Sequence, residues 1–263
     1  MSSTLIIRIL AIAAAVFALG LGASATKAQA FSPDQTTVSG VVNTQYWDLD
    51  KFWRANFNAW GWGRYYAGPY VRYFNPGPYS NFNSGCGSTG LPVFLNDWGV
   101  YCGGNDRAIY LNVNNLQSGI SNPYYRDGGA AFLFAHEFAH HIQELEGVRN
   151  SSRATELNAD CLAGMYFRWG VTQTGVLNAT DLAEARYTIY YAFGGDPAGH
   201  GTGSTRLSWF DYGYRTYNLY ECNRTYSLVT GARTTKSAKK VTKRLGARTK
   251  PTTPVVAPAP TGA

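Results

Sequence analysis

Apolar positions recur at three- and four-residue spacing from Ala130 through Ala131, Phe134, Ala135, Phe138 and Ile142 to Leu145, which predicts a helix over about Gly129 to Leu145. Gly147 ends it, because a glycine just past the last periodic residue takes the left-handed turn that other side chains resist. Asn150-Ser151-Ser152 then offers N-cap oxygens for a second helix through Leu157, Leu162 and Met165 to about Trp169. Two further helical stretches are expected, at about Leu182 to Tyr191 and Leu207 to Tyr217, separated by the glycine-rich run Gly194-Gly195-Asp196-Pro197-Ala198-Gly199-His200-Gly201. Ahead of the first helix the block Leu91 to Leu95 and the alternating Ala108 to Val113 read as short strands. Asn96-Asp97-Trp98-Gly99 and Gly103-Gly104-Asn105-Asp106 supply turns between them. Residues 31 to 80 are so crowded with Tyr, Trp, Phe, Gly and Asn that they read as packing and turns. The whole pattern is that of an α+β domain, mainly helical, with a small strand element before its longest helix.

Charge divides the chain into three parts. The formal +7 over 263 residues is not spread evenly. Residues 1–30 hold two basic groups, Arg8 and Lys27, and residues 231–263 hold eight basic groups, with no acid in either segment. Between Phe31 and Thr230 there remain 13 basic and 16 acidic residues, so the body is mildly acidic and a basic nucleic-acid-binding domain is excluded. Met1 to Arg8, the uncharged run Ile9 to Ala23 and the small-x-small Ala28-Gln29-Ala30 together have the form of a secretory signal peptide. The apolar run is shorter than the roughly 20 residues a membrane span needs, and no other stretch is apolar enough. The mature chain is therefore expected to start at Phe31, outside the cytoplasm, secreted or associated with the cell envelope and without a transmembrane span, the alternative being an uncleaved N-terminal anchor. Residues 231–263, basic and proline-rich, are expected to be disordered, and two readings stay open: contact by charge with anionic cell-envelope polymers or lipid headgroups, or a solvated tail with no specific partner. That leaves residues 31–230 as the folded domain.

In an oxidising compartment the four cysteines, Cys86, Cys102, Cys161 and Cys222, favour disulfides over free thiols. Three pairings are open. Cys86 with Cys102 is the short-range candidate, which leaves Cys161 with Cys222. No C-x-x-C spacing points to a thiolate zinc site.

Within the most regular helix, residues 136 to 141 read His-Glu-Phe-Ala-His-His, an HExxH pattern in the helical context that the motif requires. A four-residue step turns the helix through about 400°, so His136 and His140 stack on one face and can grip a single metal ion. Glu137 projects from the side of that face, within reach of a metal's water without being a ligand. His141 points about 100° away from His140 and reads as structural. A catalytic zinc takes three protein ligands and keeps one position open. If the first two helices fold as a hairpin, Glu156 returns beside His140 as third ligand, with Asp160, four residues on, as the outer acceptor for a ligand imidazole. Spacing alone also allows the reverse assignment of those two acids. His200, in the glycine-rich loop, is the candidate donor to a reaction oxyanion, with Arg206 assisting it or pairing with Asp196; both also fit a purely structural loop role.

The chain resembles the neutral zinc metallopeptidases of bacteria, a zincin family. The likeness is carried in order from about residue 45 to 225 by Cys86-Gly87, Val100-Tyr101-Cys102, Ile109-Tyr110-Leu111, His136 through Gln143, Glu156 through Gly164, and His200-Gly201-Thr202-Gly203 with Arg206, Trp209 and Phe210. Ala139 stands where the family commonly has Gly. The resemblance implies a zincin-like metallopeptidase fold, one Zn2+ ion, paired cysteines, and Glu156 as a ligand by analogy. The expected function is hydrolysis of peptide or protein substrates by zinc-activated water with Glu137 as general base. The reading from another class is a non-catalytic envelope-binding protein with structural zinc. An intact Glu137 argues against it, because a site that only holds zinc has no use for that acid.

Overall fold

A 22-residue helix, α1 (Val38–Ala59), occupies the aromatic stretch that reads as turns in the sequence. Val38, Val41, Val42, Gln45, Asp48, Leu49, Phe52, Trp53 and Phe57 are its buried positions, at helical spacing. Two of them are polar, which is what hides the stripe. Asp48 is tolerated inside because Trp169 Nε1 and Thr174 Oγ1 donate to it at 3.4 and 3.1 Å. The computed structural model describes residues 34–59, 66–74, 98–148 and 152–225. The signal-like segment 1–30, the strand expected at 91–95, Cys86 and the basic tail 231–263 lie outside them.

Three strands, β1 (Tyr70–Phe74), β2 (Gly99–Cys102) and β3 (Ala108–Asn112), form a sheet in the order β1-β3-β2, with β1 parallel and β2 antiparallel to the central β3. β3 lies where the alternation predicts a strand, and all five of its residues are buried. β2 begins at Gly99, the last residue of an expected turn, and Val113 opens a helix instead of closing the strand. That helix, α2 (Val113–Ser121), starts there because the Asn112 side chain accepts from Asn115 N at 3.1 Å.

α3 (Arg126–Leu145) begins about three residues before the apolar pattern does. A Cβ on its Gly128 would stand 2.4 Å from Asp181 O, so this glycine serves close approach of a neighbouring helix rather than a break. α4 (Arg153–Trp169) is N-capped by Ser152, whose side chain accepts from Thr155 N, and runs on into a π-helical turn over Gly170–Thr174. α5 (Ala179–Tyr191) carries a capping box between Asn178 and Asp181, and α6 (Gly203–Thr216) and the short α7 (Leu219–Cys222) follow. α4 and α6 meet backbone to backbone. A Cβ on Gly164 would lie 2.0 Å from Phe210 O, and one on Gly213 would lie 1.8 Å from Cys161 O. The Cys161–Cys222 disulfide then ties α4 to α7, as one of the expected pairs. Cys102 is disulfide-bonded as well, and its expected partner lies outside the described residues. No helix among the described residues is long and apolar enough to cross a membrane.

At the end of α3, Glu146 is buried and neither carboxyl oxygen has a hydrogen-bond partner among the described residues. Burial pushes this carboxyl up to about 8, outweighing the opposing effect of the Asn223 amide. Below its ordinary range both folded and unfolded chains are protonated there. As pH rises to about 8 only the unfolded chain ionises, so folding stability falls across that window. Glu146→Gln is expected to unfold at higher urea than the wild type at pH 8, by up to a few kcal/mol, with the difference vanishing near pH 4. A variant no more stable than the wild type at pH 8 contradicts this.

Candidate metal centre

α3 passes through the core, and the apolar residues Phe132, Phe134, Phe138 and Ile142 lock its rotation. That rotation turns His136 and His140 toward α4, where Glu156 stands in the first turn. His136 Nε2, His140 Nε2 and Glu156 Oε2 form a triangle with edges of 3.1, 3.2 and 3.4 Å. Ligands at about 2.0–2.1 Å from a tetrahedral zinc stand roughly 3.3 Å apart, so these three atoms already have the spacing of three corners. Three lone-pair atoms this close repel one another unless a cation or a proton lies between them.

The electrostatics agree with a cation. Burial disfavours imidazolium at both histidines, yet Asp160 and Glu156 beside His136, and Glu156 beside His140, outweigh it. His136 is raised and His140 is pushed up to about 9. Glu156 is buried too, but the two imidazoles hold its carboxyl well below the usual carboxylate range. The donor set, two imidazoles and a carboxylate around a shared point, fits zinc.

Asp160 stands behind His136. Its Oδ1 lies 2.9 Å from His136 Nδ1, close but not well aligned with the ring N–H. Both its oxygens also accept from Arg206, from Nη2 at 2.8 Å and from Nε at 2.9 Å, so neither faces the triangle. Arg206 therefore pairs with Asp160 and not, as the sequence suggested, with Asp196. Its third donor, Nη1, goes to Phe193 O at 3.1 Å, and the buried guanidinium is committed to holding α4, α6 and the loop before α6 together rather than to an oxyanion. Asp196 is taken by His200 Nδ1 at 3.0 Å. His200 remains half-exposed, with Nε2 3.6 Å from Glu156 Oε2, at the rim of the triangle.

Strand β2 is stitched to α3 by residues that share one helical face. Tyr101 N donates to Glu137 Oε2 at 2.7 Å, and the Tyr101 hydroxyl donates to Glu144 Oε2 at 2.7 Å. Glu144 Oε1 accepts from Gly104 N at 3.0 Å. His141 sits between these contacts, its Nε2 donating to Ala67 O and its Nδ1 2.9 Å from the Tyr101 hydroxyl. It faces away from the triangle, as its 100° offset predicts, and burial lowers its pKa. Two participants were not singled out in the sequence: Tyr101, whose backbone fixes one oxygen of Glu137, and Gln143, whose Oε1 lies 2.8 Å from His140 Nδ1. The second was legible in principle, as residue i+3 from a ligand histidine on the same helix face.

Comparison with known proteins agrees with this chemistry. A family described as "Putative neutral zinc metallopeptidase" matches residues 19–225. The chain is 30% identical over 151 residues to "Uncharacterized protein YpfJ" of Escherichia coli, covering 45% of this chain and 51% of that protein. It is 26% identical over 194 residues to "Uncharacterized protein Rv2575" of Mycobacterium tuberculosis, covering 60% of this chain and 62% of the relative. The matches thus span between about half and three-fifths of these relatives' lengths. No solved structure matches the chain.

Proposed function

The chain belongs to the neutral zinc metallopeptidase family, and from that premise we propose that it is an exported peptidase holding one zinc ion on His136, His140 and Glu156. The observation that carries the reading is the triangle of His136 Nε2, His140 Nε2 and Glu156 Oε2 with Glu137 fixed beside it. Zinc in such a site brings the pKa of its water toward neutrality and polarises a carbonyl.

The chain's own groups supply the rest. Tyr101 N–H holds Glu137 Oε2, so the carboxylate is fixed with its other oxygen left to accept a proton from the attacking water and pass it to the leaving amine. Asp160 supports His136 from behind, and its commitment to Arg206 favours Glu156 as the third ligand. His200, at the rim, is placed to donate from Nε2 to the developing oxyanion as the imidazolium, with Asp196 accepting the proton of its Nδ1. Among the described residues β2 is an edge strand, and Tyr101 N–H points away from β3 toward Glu137, so an extended peptide adding to that edge would run past Glu137. The signal-like segment supports export, and the basic tail supports retention at an anionic envelope.

Metal analysis followed by digestion of a random peptide library tests the reading. Expected are one zinc per chain, cleavage that stops with a chelator, and recovery on adding zinc back. Stoichiometric zinc with no cleavage of any peptide would favour a structural-zinc binding protein instead.

A further inference from the structure

We propose that Gln143 is a positioning residue that fixes His140 as the Nδ1–H tautomer and so leaves Nε2 as its lone-pair atom. The proposal rests on the zinc reading above only for the use that Nε2 is put to.

Gln143 is 2% exposed, and its amide can point in only one direction. Nε2 lies 2.7 Å from Thr155 O and 2.8 Å from Asn158 Oδ1. A backbone carbonyl only accepts, so the group facing Thr155 O has to be the amide NH2. Oε1 therefore faces His140 Nδ1 at 2.8 Å, and an oxygen there asks that nitrogen for a proton. With the proton on Nδ1, the neutral ring turns an unprotonated Nε2 toward His136 Nε2 and Glu156 Oε2.

The direction of the amides carries on through the core. Having accepted from Gln143, Asn158 presents its own NH2 to Asn223 Oδ1 at 3.0 Å. Asn158 is fully buried on α4, and Asn223 follows Cys222, which is bonded to Cys161 one turn along α4 from Asn158. Three side-chain amides from α3, α4 and the end of α7 thus set one another's orientation, and a disulfide keeps the last of them in place. The two histidines are supported differently. His136 is backed by the anionic Asp160, and His140 by a neutral amide whose oxygen is chosen by a backbone carbonyl.

A long-range proton–nitrogen correlation spectrum of the full-length protein labelled at histidine reads the tautomer directly, with zinc at neutral pH and without zinc at alkaline pH, where the ring is neutral. His140 is expected to carry its proton on Nδ1 in both. Gln143→Leu removes the acceptor, so both tautomers should appear in the zinc-free protein and zinc affinity, measured by chelator competition, should fall about 10- to 100-fold. An Nε2–H tautomer in the wild type overturns the proposal, as does a folded Gln143→Leu protein with wild-type tautomer and affinity. Should Gln143→Leu fail to fold, the wild-type spectrum still decides. A wild type that takes up no zinc defeats the zinc reading, while the zinc-free spectrum continues to judge this one.

Discussion

Glu137→Gln is expected to hold zinc as tightly as the wild type while losing about 10²- to 10⁴-fold in kcat, the range for removing a positioned general base. The metal retention follows from the triangle, to which Glu137 contributes no atom. Structural disturbance should be small. A glutamine keeps a carbonyl oxygen that can accept from Tyr101 N as Glu137 Oε2 does, so the stitch between α3 and β2 survives and the change is confined to the group facing the water. What the amide lacks is the ability to take up a proton. Because the interaction is gained only as the water attacks, kcat and kcat/KM should fall together with KM nearly constant. Steady-state kinetics on any peptide found in the library digest, with zinc content measured on the same preparation, check both halves. A variant with zinc bound and full proteolysis would remove Glu137 from the mechanism.

Legibility in the sequence followed how local each feature is. α3 was readable because seven apolar residues mark its buried face without interruption, and the HExxH spacing has meaning only on such a face. α1 was not, since Gln45 and Asp48 break its stripe and exposed Trp47 adds an aromatic to the opposite side. The burial of Asp48 depends on partners more than 120 residues away, Trp169 and Thr174, and no local pattern reports that. The start of β2 was obscured for another reason: a strand beginning in Gly99 has the composition of the turn before it, and it is a strand because β3 pairs with it.

The candidate site divides in the same way. His136, His140 and Glu137 could be placed by counting along one helix, and Glu156 by folding two helices into a hairpin. Asp160 and Glu156 stayed interchangeable in sequence because both lie on one face of α4. What separates them is Arg206, 46 residues further on, and its arrival depends on the glycine contacts of Gly164 and Gly213 that let α6 lie against α4. A sequence motif can name the residues around a metal. It does not show which acid a third helix will neutralise.

Arg206→Met is therefore expected to be the most destabilising single substitution near the site, at about 3–5 kcal/mol, the cost of leaving a buried charge without its partner. Asp160 is fully buried and depends chiefly on the Arg206 guanidinium to hold its carboxyl below the ordinary range, with His136 adding less. Methionine fills much of the same volume without clash, so the loss is electrostatic rather than steric. At roughly 2–4 °C per kcal/mol for a domain of this size, thermal unfolding should move down by about 6–20 °C. Lysine should rescue little, because one ammonium cannot make the two parallel bonds to Asp160 and a third to Phe193 O. The origin of the loss is open to a double-mutant cycle. Adding Asp160→Asn removes the orphaned charge, so the double variant should be more stable than Arg206→Met alone, although each single change is destabilising. If Arg206→Met unfolds within about 1 kcal/mol of the wild type, the pair is not the clamp between α4 and α6 that its geometry indicates. If the double variant is the weaker, the cost lies in lost packing against Phe132 and Phe193, over whose rings the guanidinium also lies.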